Sequence, residues 1–286
     1  MTVEGSKDMS DLVIPQIDVG VFGGTGFYDL LDSPKEYEIE TPFGPTSDKV
    51  MVGQIGGVTV GFVPRHGRAH KITPAKINYR ANAWAMKMMG AKRVFGPCAC
   101  GSLQAHVRPG DFVICDQFVD RTWGRDDTFF DGRATAADDP FFDRGVTHVS
   151  AADPYCPTLR EVTVASSRDL GITTHDGGTI VIINGPRFST RSESKWFASQ
   201  GWEVINMTQY PEAYLARELE LCYVNISLIT DMDCGVDATE AVTHAAVLEV
   251  FAQNLDKLKN LLHDVIPRVP EERDCLCSTS LSGAEM

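Results

Sequence analysis

Residues 206 to 234 constrain the fold more than any other stretch of the chain. They open with Asn206-Met207-Thr208-Gln209-Tyr210-Pro211-Glu212, a polar elbow in which Pro211 and Glu212 suit the first turn of a helix. Helix-forming residues Ala213 to Leu221 follow. Cys222 to Ile229 then reads as a buried strand, dense in branched and apolar residues. That strand delivers two carboxylates, Asp231 and Asp233, at its C-terminal end, and ligands of open α/β sheets sit at the carboxyl ends of strands. The same residues read equally well as a helix and a strand whose acidic residues begin a turn. This stretch alone leaves both readings open.

Other strands end in similar clusters. Ile17 to Phe22 runs into Gly23-Gly24-Thr25-Gly26, a turn whose backbone N–H groups can cradle a phosphate, although a plain tight turn fits too. The dinucleotide fingerprint wants a third glycine where Asp29 stands. Val50 to Ile55 and Val58 to Val63 form a hairpin across Gly56-Gly57. It ends in Pro64-Arg65-His66-Gly67-Arg68-Ala69-His70, the densest cationic cluster of an acidic chain and a candidate anion site. Asn78 to Met89 is an amphipathic helix, and Arg93 to Phe95 leads into a small-residue turn at 97 to 102, which admits close anion approach or close core packing. A strand over Phe112 to Val119 precedes a long loop at 121 to 145, after which comes a lone His148. A helix over Pro157 to Leu170 is capped by Gly171. A strand over Gly178 to Asn184 ends in Gly185-Pro186-Arg187-Phe188-Ser189-Thr190, and helices follow over Glu193 to Gln200 and from about Val242 to Ile266.

This alternation predicts an α/β fold, one domain with a central mixed β-sheet flanked by helices. The domain spans 17–270, between a flexible N-terminus (1–16) and a disordered tail (271–286). A formal net charge of −13 argues against a nucleic-acid or anionic-membrane surface, yet allows a local phosphate site. No run is long enough for a transmembrane helix, and the polar N-terminus is unlike a signal peptide. The eight cysteines show no C-x-x-C pair, which points to buried free thiols in a reducing cytoplasm and no metal site; Cys275 and Cys277 read either as loose tail thiols or as a pair that can oxidise.

The clusters together resemble the trimeric purine nucleoside phosphorylases, and more closely their 5′-methylthioadenosine phosphorylase branch, from Gly20 to about Pro267. The residues that carry the resemblance are Gly-Gly-Thr-Gly at 23–26, Thr-Pro-Phe-Gly at 41–44, Arg-His-Gly at 65–67 and Asn-Tyr-Arg-Ala-Asn at 78–82. Gly-Pro-Arg-Phe-Ser at 185–189, Asn-Met-Thr at 206–208 and Thr-Asp-Met-Asp at 230–233 complete it. The resemblance implies reversible phosphorolysis, in which phosphate attacks C1′ of 5′-methylthioadenosine as adenine leaves. Inorganic phosphate is then a co-substrate, and no cofactor or metal is needed. Thr25, Arg65 with a planar pair of donors, His66 as a further donor, Thr208 and the backbone of Cys98 and Ala99 would hold phosphate, although Cys98 stands where a Thr is usual. Met207 would floor the ribose, Asp231 would protonate N7, and Asp233 would accept from N6. Members that take 6-oxopurines carry Glu at the position of Ser189 and Asn at that of Asp231, so these two residues favour adenine. Phe188, His70, His244, Val247 and Leu248 complete the implied substrate pocket. His244 stands where methylthio-preferring members carry a small apolar residue, so adenosine becomes a second substrate; a helix-cap role is the simpler alternative. The resemblance also implies a homotrimer in which His148 reaches a neighbouring subunit's pocket, and a place in purine and methionine salvage.

Three other readings compete. One is a 6-oxopurine or methylthioinosine phosphorylase, opposed by Ser189 and Asp231. Another is a dinucleotide-binding regulator or oxidoreductase, opposed by the missing third glycine. The last is a catalytically silent adenosine-binding module.

Overall fold

The computed structural model describes residues 14–24, 26–27, 30–132, 141–234 and 242–285. Its strands in chain order are β1 (Val19–Gly23), β2 (Asp32–Tyr37), β3 (Glu40–Thr41), β4 (Gly44–Pro45), β5 (Val50–Ile55), β6 (Val58–Pro64) and β7 (Arg93–Ser102). They continue as β8 (Phe112–Ile114), β9 (Gln117–Arg121), β10 (Thr174–Asp176), β11 (Thr179–Ile183), β12 (Val204–Asn206) and β13 (Cys222–Met232). The α-helices are α1 (Tyr79–Met88), α2 (Pro157–Asp169), α3 (Arg191–Ser199), α4 (Gln209–Glu218) and α5 (His244–Val265).

One mixed sheet runs β10-β8-β13-β7-β1-β6-β5-β2, and β12, β11 and β9 branch from the end of β7. Strands β6, β1, β7 and β13 are mutually parallel, so their carboxyl ends share one edge. Gly23 pairs with Pro64 and Asp231 with Gly101, which brings four of the polar clusters into one neighbourhood. Strand β1 is buried throughout and β13 from Cys222 to Thr230, as a sheet covered on both faces requires. Trp84 and Met86 of α1 and Ala213 and Leu215 of α4 fill one apolar layer. Leu159 of α2 and Leu258, Leu261, Leu262 and Val265 of α5 fill the other. Each of the Leu, Met and Val side chains among these contributes about 1.5–3 kcal/mol through burial.

Local chemistry sets the helix starts. Asn78 accepts from the N–H of Ala81 and caps α1. Thr190 and Glu193 form a reciprocal capping box on α3, so that helix begins at Arg191, two residues before its sequence expectation. Asn206 Oδ1 accepts from the N–H groups of Thr208 and Gln209, which starts α4 ahead of Pro211. Glu212 is turned inward rather than left to complement the helix dipole.

Three expectations are corrected. Residues 97–102 continue strand β7 instead of turning, because small residues let the strand pass under Tyr223; a Cβ on Gly96 would sit 1.8 Å from its hydroxyl. The strand expected over Phe112 to Val119 breaks at Cys115-Asp116, where Asp116 accepts from the N–H of Gly178. The tail is ordered over its described residues, since Cys277 and Leu281 are buried and Thr147 bridges to Glu285. The flexible N-terminus falls almost wholly outside the described residues. Among the described residues no helix is long and apolar enough to cross a membrane.

Candidate active site

The shared strand edge opens into a cavity of about 670 Å³, walled on one side by the start of α5. This volume suits a nucleoside-sized ligand. Of the residues singled out in the sequence, Arg65, His66, His70, Cys98, Ala99, Phe188, Ser189, Met207, Thr208, Asp231, Asp233, His244, Val247 and Leu248 line it. Thr25 lies outside the described residues, although Gly24 and Gly26 beside it line the cavity. His148 is exposed and does not line the cavity of its own chain.

At one end the groups suit an anion. Arg65 is buried, with Nε and Nη2 donating to Glu212 and Nη1 to the carbonyl of Pro97 at 2.8 Å. The planar pair of donors expected to take phosphate is therefore held by Glu212. Two of the five guanidinium N–H groups, one on each Nη, remain for a ligand. Burial, then the neighbouring His70 and Arg65, push the His66 pKa down to about 4, against its bond to Ile72. Neutral His66 donates from Nδ1 to the Ile72 carbonyl at 2.8 Å, so Nε2 carries a lone pair and accepts. It therefore suits the hydroxyl of HPO₄²⁻, where the sequence reading expected a donor.

Strand β7 supplies backbone to the same end. Strand β1 pairs with it only to Phe95 and β12 joins only at Gly101, so the backbone edge between them faces the cavity, where Cys98 and Ala99 lie. The Cys98 thiol is engaged by Asn225, Gln209, Ser227 and Cys100. Thr208 adds a hydroxyl that also accepts from Asn206 at 3.2 Å.

Met207 separates this end from the other. Its sulfur packs so close to Gly185 that a Cβ there would meet it at 2.6 Å, at a φ of +64° that already favours glycine. Arg125, from the loop after β9, donates to the carbonyls of Met207 and Asn184 and locks the floor from below.

At the other end two carboxylates differ in environment. Ser189 Oγ donates to both oxygens of Asp233 at 3.1 Å, and Asp233 also holds bonds from Ser194 and the N–H of Cys234. Burial still raises its pKa above the ordinary value. Asp231 receives one side-chain bond, from Thr230 at 2.8 Å. Burial first, then the charge of Asp233, raises its pKa to about 6 against that bond. The register of β13 slips between Ile229 and Asp231, and this bulge re-aims the strand end toward the cavity. A carboxyl group protonated near pH 6 at the wall of a cavity is a proton donor in waiting.

The third wall is apolar apart from His244, the first residue of α5. Val247, Leu248 and Phe251 follow it, and the His244 ring stands 6.5 Å from that of His70. Sequence reasoning missed Glu212, Gly101, Asn206, Lys71 and Phe251 as site residues. Asn206, Glu212 and Gly101 lay in stretches the sequence singles out, whereas Lys71 and Phe251 carry no local signal.

Residues 18–267 match the model of the phosphorylase superfamily. A purine nucleoside phosphorylase of Streptomyces coelicolor is 48% identical over 94% of this chain and 95% of its own length. An S-methyl-5′-thioadenosine phosphorylase of Thermofilum pendens is 48% identical over 94% and 98% respectively. Among solved structures, the methylthioadenosine phosphorylase of Schistosoma mansoni in complex with adenine superposes with a TM-score of 0.87 at 34% identity, covering 95% of this chain and 99% of that one.

Proposed function

The chain belongs to the phosphorylase superfamily, and we propose that it cleaves 5′-methylthioadenosine with phosphate, releasing adenine and 5-methylthioribose 1-phosphate. The observation that carries this reading is the pair of opposed ends, anion-holding at Arg65 and proton-donating at Asp231, on either side of the Met207 floor.

A phosphate oxygen attacks C1′ as the C1′–N9 bond breaks, and the electron pair passes into the purine. Asp231 gives its proton to N7, so the base leaves neutral rather than as an anion. The remaining Nη hydrogens of Arg65, the Thr208 hydroxyl and the open β7 backbone hold the phosphate, and His66 Nε2 accepts its hydroxyl proton. Asp233, oriented by Ser189, accepts from the N6 amino group. A 6-oxopurine would present an oxygen to that carboxylate instead, which disfavours the 6-oxopurine reading. Phosphate is the co-substrate, and protein groups supply every proton the step needs, so neither an organic cofactor nor a metal takes part in the reaction. We further infer a homotrimer, in which the exposed His148 reaches the adjacent pocket, and a role in salvage of purine and methylthioribose.

His244 supports a second substrate. It brings the one polar side chain of the α5 wall to the cavity, beside His70, where a free 5′-hydroxyl finds a partner that a methylthio group does not use. Adenosine is thus accepted alongside methylthioadenosine. The activity is tested by following adenine release from methylthioadenosine with and without phosphate. Release only with phosphate is expected; release that ignores phosphate would identify a hydrolase, and none at all a binding protein.

A further inference from the structure

Four thiols that the reaction does not use meet at the far end of the central strand. Cys156 immediately precedes α2, Cys222 opens β13, and Cys275 and Cys277 belong to the C-terminal segment. Their sulfur atoms all lie within 4.8 Å of one another. Cys222 Sγ stands 3.4 Å from that of Cys275 and also hydrogen-bonds to the thiols of Cys156 and Cys277. In a tetrahedral four-sulfur zinc site, bonds of about 2.3 Å place the sulfurs about 3.8 Å apart. The cluster already has nearly that size, and it is buried apart from the half-buried Cys275.

The surroundings suit an anionic centre. Arg273 lines the same small recess as Cys156, Cys222 and Cys275, and its buried Nε–H has no hydrogen-bond partner among the described residues. A buried donor beside sulfur is satisfied by the charge of a tetrathiolate metal centre. Arg93 holds the segment from the other side, donating to the carbonyls of Pro270, Glu271 and Glu272.

We propose that Cys156, Cys222, Cys275 and Cys277 form a structural zinc site that fastens the C-terminal segment to the start of the central strand. Four protein sulfurs close the coordination sphere, so the ion stabilises rather than reacts. Zn²⁺ displaces the thiol protons to solvent and nothing is oxidised or reduced. The centre lies roughly 30 Å along β13 from Asp231, which separates it from the nucleoside cavity. The ligands come from three distant segments, and for that reason the sequence shows no zinc-like spacing.

Protein purified anaerobically without chelator should hold one zinc per chain by elemental analysis. The Cys275→Ser/Cys277→Ser variant should hold less than about a tenth of that and melt roughly 10 °C lower, with methylthioadenosine turnover little changed below its melting point. Cobalt loaded into the wild-type chain should show the thiolate charge-transfer and tetrahedral ligand-field bands of a four-sulfur site, a readout that does not require the variant to fold. A reduced wild-type chain that binds neither zinc nor cobalt would overturn the proposal. So would zinc retained in full by the double variant, or peptide mapping that finds the four cysteines joined as two disulfides under the same conditions.

Discussion

Glu212 grips the Arg65 guanidinium along one edge, with Nε donating to Oε2 at 2.6 Å and Nη2 to Oε1 at 2.7 Å. Both side chains are 3% exposed, and Tyr223 donates a further bond to the same carboxylate. The arginine proposed to face phosphate is thus held by a carboxylate 147 positions away in sequence. Breaking a buried pair leaves an uncompensated charge and costs about 3–5 kcal/mol. Glu212→Gln should lose stability of that order in urea unfolding and raise the KM for phosphate. A variant as stable as the wild type would mean that the pair does not hold the site together.

Asp231 ties activity to stability. Its folded pKa of about 6 exceeds the ordinary 3.8, so the folded chain binds this proton more tightly than the unfolded chain does. The associated stability is present below about pH 4 and is lost as pH rises to about 6, at most about 3 kcal/mol. Asp231→Asn removes the effect. Above pH 6 it should therefore be the more stable protein, and the gap should close below pH 4. Unfolding both proteins across this range checks the sign; a variant less stable at pH 8 would contradict it.

Gly101 leaves the room that Asp231 occupies. A Cβ there would sit 2.9 Å from Asp231 Oδ1 and 3.1 Å from Ile205 Cγ2. The carboxyl end can move aside, so Gly101→Ala should change Tm by only a few degrees. Displacing the proton donor should lower kcat about 10- to 100-fold. Steady-state kinetics and a melting curve on one preparation measure both, and an unaltered kcat would show that the donor's position is not critical.

His244→Ala should lower kcat/KM for adenosine roughly tenfold and leave that for methylthioadenosine within about twofold, since only the former loses a hydrogen bond. The ratio of the two substrates in each protein is the readout. An unchanged ratio would assign His244 to the helix terminus and not to the 5′ group.

The parts legible in the sequence were the local ones. The hairpin over residues 50–63 forms where expected, with its second strand one residue longer to Pro64, because the Gly56-Gly57 turn and the branched apolar residues are written within fourteen residues. The residues proposed to hold phosphate and base lie in contiguous motifs at strand ends, and parallel pairing gathers those ends. Relations made across the fold left no trace. Arg65 and Glu212, Gly96 under Tyr223, and the Cys156–Cys222–Cys275–Cys277 cluster each join segments that no spacing rule connects. The tail looked disordered by composition, but Cys277, Leu281 and Ala284 are buried and anchor it against the domain.

The central claim is that Asp231 protonates the departing adenine, and single-turnover cleavage of methylthioadenosine at saturating phosphate tests it most directly. In Asp231→Asn the chemical step should slow by about 10²–10⁴ while the substrate Kd changes by less than about tenfold. Adenine release at the wild-type rate from the asparagine variant would contradict it.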